Sequence, residues 1–365
     1  MDKNNRVQCK SNKLCQELIR HFGKKINQAR IKLISLVMVA LCKMQTVNLN
    51  RLAIACESEA KSASVLRRIQ RFLSSYVLDK DLVAGFIFRL LPHKPPYRLA
   101  MDRTSWEVKK EEINILVLSV IYQGLSFPIL FSTRKGKGNS SWQQRKALMD
   151  RFILLFGKES IEYVTADREF IGIRWMRYLR EEKIDFYLRM KGCYRVITST
   201  GHSMRIDRLF SFLQVNECHS FKRCFSQGNT KYYLTGTRVK GKNGQAELVV
   251  IASREKTKAA LELYRTRWQI ETSFKALKSS GFNLEDTRIK EKERIENLFA
   301  LLCMSFAWSY AIGVYVSTYI EPIRMLNTGR RAYSIFKYGL NYLCRYLLSD
   351  YKLDNYDPIK FLSCT

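Results

Sequence analysis

Residues 97–133 read YRLAMDRTSWEVKKEEINILVLSVIYQGLSFPILFST. Three runs rich in aliphatic, β-branched and aromatic residues, 97–102, 113–122 and 126–133, are separated by a charged segment and by Gly124, which suits a tight turn. The stretch therefore predicts a meander of three strands. Outward from it, Lys135 to Asn139 supply a flexible basic loop, and Ser140 or Ser141 caps a helix running to about Phe156. A strand at 161–166, an amphipathic helix at about 169–182 and a strand at 185–190 follow.

A strand meander followed by alternating helix and strand is the order of a ribonuclease-H-like α/β domain. Residues 191–251 interrupt that order with short alternating strands, such as 231–239 and 247–252, and read as a β-rich insertion. Residues 255–280 return to helix. On the N-terminal side, 12–90 read as helical throughout, and 91–96, with three prolines, read as a linker. The expected fold is thus α/β: a ribonuclease-H-like core, interrupted by a β-rich insertion, with helical N- and C-terminal regions. Its expected units are 1–96, 97–190 (core, first part), 191–251 (insertion), 252–320 (core, second part) and a basic helical region at 321–365.

The 365 residues include 63 Lys and Arg against 33 Asp and Glu, a net charge of +30. That excess exceeds what solubility requires and points to a polyanionic partner. It is spread along the chain, which argues for a long contact track. Ser64 to Ser75 place Val65, Leu66, Ile69, Phe72 and Leu73 on one helix face and Arg67, Arg68 and Arg71 on the other. Phosphate contact and a merely solvated basic face both fit that pattern. The ten cysteines show no CxxC pair, as expected of reduced thiols in a cytoplasmic protein. Asn297 to Ile320 carries no charge, but its serines, its asparagine and the charged helix before it predict a buried core helix rather than a membrane span.

Two aspartates stand where strands are expected to end: Asp102 after Tyr-Arg-Leu-Ala-Met, and Asp167 after Ile-Glu-Tyr-Val-Thr-Ala. A carboxylate at a strand end faces a cleft, although Asp also ends strands as an ordinary turn residue. The helix at 261–280 is more specific. At about 100° per residue, Tyr264, Arg267, Glu271, Lys275 and Lys278 fall in an arc of roughly 80°. Apolar residues flank this stripe, among them Ile270, Phe274 and Leu277 on one side and Leu261 and Trp268 on the other. Gln269, Thr272 and Ser273 are expected on the far, solvated face. A charged stripe between apolar flanks suits a site better than a solvent-facing row of ion pairs. Three carboxylates match phosphodiester chemistry with two Mg2+ ions, Mn2+ serving as a substitute, because hard cations prefer oxygen ligands. Cationic side chains beside them would offset developing charge.

The string Tyr264-x2-Arg267-x3-Glu271-x6-Lys278 resembles the YREK signature of DDE transposases in the insertion-sequence-4 family. Asp102-Arg-Thr-Ser-Trp106 and Asp167-Arg-Glu-Phe170 look like that family's first and second aspartate motifs, in the right order and with an insertion before the glutamate. The resemblance implies cleavage at transposon ends followed by strand transfer, with Asp102, Asp167 and Glu271 on metal and Tyr264, Arg267 and Lys278 on terminal phosphates. It implies double-stranded DNA, terminal inverted repeats and target, as partner, and a homodimer on paired ends as the working unit. Arg168, Arg189 and Lys191 are similar to basic positions the family uses near DNA, and plain surface charge fits them equally. Trp106 and Trp268 are expected as core anchors. Some relatives stack a flipped base on a tryptophan of the insertion; residues 191–250 have none, so Phe221, Tyr232 or Tyr233 would have to substitute. A non-transposing nuclease on the same fold and a DNA-binding protein without catalysis are the alternatives.

Overall fold

The computed structural model describes residues 10–136, 138–241, 243–349 and 357–362. Five helices open the chain: α1 (Lys10–Phe22), α2 (Gln28–Met44), α3 (Leu49–Ala55), α4 (Ser62–Ser75) and α5 (Lys80–Arg89). Their starts follow local chemistry. Asn27, Asn48 and Asp79 each accept a backbone N–H of the first turn of α2, α3 and α5 through the side chain. In α4 the apolar residues Val65, Ile69, Phe72 and Leu73 are buried, and Arg67, Arg68 and Arg71 are exposed, as the periodicity predicts.

The predicted meander is present as β1 (Tyr97–Val108), β2 (Glu111–Tyr122) and β3 (Leu125–Lys135), paired antiparallel. Gln123 and Gly124, both at positive φ, close the second turn. Helix α6 (Trp142–Phe156) starts at Ser141 with a reciprocal capping box to Gln144. Then come β4 (Ile161–Ala166), α7 (Ile173–Glu181) and β5 (Phe186–Met190). β4 lies parallel to β1 and β5 parallel to β4, giving the order β3-β2-β1-β4-β5. Two expectations need correction here. β1 does not stop at Asp102 but pairs with β2 through Val108, so Asp102 is a mid-strand residue. α7 starts four residues later than predicted, because Arg168–Phe170 form a separate 3-10 turn after Asp167.

Residues 191–251 are β-rich as expected: β6 (Arg195–Ile197), β7 (Ser203–Arg205), the short α8 (Ile206–Leu209), β8 (Cys218–Ser220), β9 (Phe225–Gln227), β10 (Thr230–Lys240) and β11 (Ala246–Ser253). β11 pairs antiparallel with β5, and β10 with β11, so the insertion prolongs the central sheet. The chain then re-enters the core through α9 (Ala260–Arg265) and α10 (Gln269–Lys275).

α11 (Lys292–Tyr315) carries the uncharged stretch and is a core helix: 83% of its most apolar window is buried within the protein. It packs on β3, α2, α4 and α5, and also on α12 (Ile335–Leu348). α11 and α12 cross at Gly313 and Gly339; a Cβ on Gly339 would lie 1.9 Å from the Ser309 carbonyl oxygen, so only glycine permits this approach. Asn297 ties α11 to the N-terminal helices. Its side chain donates to the carbonyls of Leu73 (3.0 Å) and Tyr76 (2.6 Å) and accepts from Leu78 N–H (3.1 Å). The basic region at 321–365 is not helical throughout, because residues 324–331 form a hairpin before α12 begins.

Candidate active site

Sheet topology brings Asp102 and Asp167 onto neighbouring strands. β4 pairs parallel with β1, which sets Asp167, just beyond Ala166, on the side of the sheet end toward which β1 carries Asp102. The segment 260–280 lays Glu271 against the same strands. It is anchored by Ser273, whose hydroxyl accepts from Ser126 N–H at 2.8 Å and donates to the Ser126 carbonyl at 2.7 Å. Gln269 accepts from Gly124 N–H at 2.9 Å.

Arg267 stands at the centre. Its Nη1 is 2.9 Å from Asp102 Oδ2 and its Nη2 is 2.7 Å from Glu271 Oε1, so one guanidinium bridges two of the three carboxylates. Burial opposes its charge, but Tyr264, Asp102 and Glu271 outweigh that and hold its pKa above the ordinary value. Asp102 accepts a further hydrogen bond from Arg103 N–H at 2.8 Å. Burial nevertheless dominates and lifts its carboxyl to about 7, with Arg267 and the Arg103 amide working in the opposite direction. Asp167 accepts from the Tyr264 hydroxyl at 3.1 Å, and Arg189 lies 3.8 Å away. Burial first, with the Asp167 charge adding to it against Arg267, raises the Tyr264 phenol to about 12 and keeps it a donor.

The other predicted residues divide. Lys278 reaches the cleft wall, donating to the Ser105 carbonyl at 2.9 Å and pairing with Glu285 at 2.7 Å. Arg189 also pairs closely with Glu247. Arg168 and Lys275 are exposed and, among the described residues, have no ion-pair partner; Lys191 is half-buried at the end of β5. Arg67, Arg68 and Arg71 lie away from the carboxylates on α4, where Arg68 and Arg71 join Arg30 and Lys32 along a groove between α2 and α4.

The single helix expected at 261–280 is instead four short pieces: α9, a 3-10 turn at Thr266–Trp268, α10 and a π-turn at Ala276–Ser280. The tighter turn changes the angular phase. Ser273, expected on the solvated face, is fully buried, whereas Trp268, expected as a core anchor, is 63% exposed. Trp106 is buried as expected. Of the aromatics considered for stacking, Tyr232 is buried, and Phe221 packs among Phe210, His219 and Phe225.

Two supporting residues escaped the sequence reading. Glu169 pairs with Arg103 at 3.2 Å, and its carbonyl accepts from buried Arg145 at 3.0 Å. Arg145 also donates to Ser140 Oγ and to the Ser140 carbonyl, so it clamps the loop after Asp167 to the start of α6. Its position offered a signal: it shares a helical face with Leu148, Met149 and Phe152, where a charge must find partners.

The donor set suits a hard divalent cation. It consists of carboxylates without a soft ligand, and Asp102 holds a raised pKa that a neighbouring cation would reverse. Among the described residues no three such groups are close enough to share one ion, and the Arg267 fork lies between Asp102 and Glu271. The guanidinium offsets the charge of the two carboxylates it bridges and occupies one oxygen of each. A family model described as a transposase DDE domain matches residues 93–308, more than half of the chain and all three carboxylates. No curated protein matches the chain.

Proposed function

The chain belongs to the transposase DDE-domain family, and on that premise we propose that it is a cut-and-paste DNA transposase of the insertion-sequence-4 type, cleaving transposon ends and joining them to target DNA. The observation that carries this reading is that one segment ties to all three carboxylates: Arg267 bridges Asp102 and Glu271, and Tyr264 bonds Asp167. The strand order β3-β2-β1-β4-β5, with β1 to β3 antiparallel and β4 and β5 parallel to β1, supports a ribonuclease-H-like core. Residues 1–96 then serve as a helical DNA-binding region, 97–190 and 252–320 as the two parts of the core, 191–251 as its insertion and 321–365 as a basic C-terminal region. The protein works in the cytoplasm on the nucleoid, as a homodimer on paired ends.

Asp102, Asp167 and Glu271 would hold two Mg2+ ions, with Mn2+ as a substitute. When bound, such ions activate the attacking oxygen and stabilise the leaving one. The chain's own residues set the stage for this. Tyr264 and Arg189 hold the Asp167 carboxylate in place, and Arg145 fixes the loop behind it. Arg267 keeps two carboxylates close without mutual repulsion, and the same fork fits a phosphate. Lys278, Lys275 and Arg168 offer further cationic contacts at the cleft rim.

The reading is tested by strand transfer. A duplex ending in a pre-cleaved terminal repeat is incubated with supercoiled plasmid and Mg2+; joined products are expected with the wild type and none with Asp167→Asn. Cleavage of intact ends without any joining would replace the transposase by a non-transposing nuclease on the same fold.

A further inference from the structure

Between α11 and α12 the chain doubles back as a short hairpin, residues 324–331. Leu326 N–H donates to the Arg330 carbonyl at 2.8 Å and Ala332 N–H to the Arg324 carbonyl at 2.9 Å, while Gly329, at positive φ, turns the tip. The base is seated by buried Ile323 and by the Tyr338 hydroxyl, which donates to the Glu321 carbonyl at 3.0 Å. Beyond that base the side chains are open to solvent. Arg324, Arg330 and Arg331 are exposed, as are Met325 (56%) and Leu326 (42%), and the pairing sets Arg324, Leu326 and Arg330 on one face of the hairpin. Residues 324–333 include no acidic residue, and among the described residues none of the three guanidiniums has a carboxylate within salt-bridge distance.

Three like charges beside two exposed apolar side chains gain nothing from one another on an open surface. A polyanion resolves both costs when its groove admits an apolar side chain. Duplex DNA has this chemistry: arginines hold the phosphate rails, and residues such as Met and Leu enter the minor groove. Charge complementarity argues against a second copy of this chain, whose net charge is also +30. The position fits too. α11, which precedes the hairpin, packs on β3, and its Tyr310 ring lies edge-on to Phe127 at 4.8 Å. Phe127 follows Ser126, the residue to which Ser273 anchors the Glu271 helix. The hairpin thus follows a helix packed on the strand that anchors the Glu271 segment, and it lies outside the family-matched residues 93–308.

We propose that the hairpin at 324–331 is a second DNA-contact element: Arg324, Arg330 and Arg331 hold phosphates of a duplex, and Leu326, on the face it shares with Arg324 and Arg330, enters its minor groove. This rests on the reading of the chain as a DNA enzyme. The test is fluorescence anisotropy of the full-length protein with a labelled duplex carrying a terminal repeat and flanking sequence, across a salt series. Arg324→Ala/Arg330→Ala/Arg331→Ala should weaken binding at least tenfold and flatten the slope of log K against log salt by roughly 2 to 3, at about 0.9 per phosphate contact. Leu326→Ser should weaken binding and leave the slope unchanged. Wild-type affinity and slope in the triple variant overturn the hairpin proposal alone. Unchanged DNA binding with an altered sedimentation coefficient assigns the hairpin to a second copy and also overturns it. Failure of the wild type to bind duplex removes the DNA reading itself, and the hairpin proposal with it.

Discussion

Arg267 controls the electrostatics of the cleft, and its removal has a predictable cost. Without its fork, Asp102 is a mostly buried carboxyl with no counter-cation at bonding distance, so Arg267→Ala should destabilise the metal-free protein by about 3 kcal/mol at pH 8 and by less at pH 5, where the carboxyl is protonated. The measurement is urea denaturation in EDTA, where an unchanged midpoint would mean that the bridge contributes little. Asp102 gives a second test. Its folded-state pKa, about 7, lies above the ordinary 3.8, so the group favours folding below about pH 4 and that contribution is lost as pH rises through 7. In EDTA the wild type should therefore lose more thermal stability than Asp102→Asn between pH 5 and pH 8, and parallel curves would contradict the assignment. The side-by-side placement of Tyr264, Arg267 and Glu271 was legible in their spacing. The opposite orientations of Ser273 and Trp268 were not, because a three-residue 3-10 turn leaves no mark in a 100° projection.

At the scale of elements, stability rests on a few polar ties between packed helices. Asn297 satisfies two carbonyls and one N–H where α4 ends against α11, so Asn297→Ala strands three backbone groups. The expected loss is roughly 2 to 4 kcal/mol, read as a shift in the chemical denaturation midpoint; a change below a few tenths would show that water replaces the amide. Gly339→Val should be worse tolerated than Gly172→Val, where no heavy atom lies within 4 Å of the added Cβ, since α12 would have to withdraw from Ser309. Most of the elements were visible from their patterns: the meander, the capped α6, and the uncharged stretch of α11 as a buried helix. Less visible were tertiary effects. The prolongation of the central sheet by β10 and β11 depends on pairing between β11 and β5, distant in sequence. The hairpin at 324–331 has neither alternation nor helical period to announce it.

For the whole molecule, a charge of +30 implies that electrostatics dominate association with nucleic acid. Binding to duplex should fall roughly a thousandfold between 50 and 200 mM salt, as for proteins making six or more phosphate contacts. A flat salt response would mean that the basic residues do not form a continuous track. The net charge was legible in composition alone, whereas the distribution of the basic residues over the surface depends on tertiary structure. The most direct test of the catalytic assignment is Mg2+-dependent cleavage of a duplex carrying the flanking terminal repeats, comparing the wild type with Glu271→Gln after both are shown to be folded and to bind the ends. Carboxylate catalysis predicts end-specific cutting by the wild type and loss of at least a hundredfold in the variant; equal cutting by the two proteins would remove Glu271 from the active site and contradict the transposase mechanism.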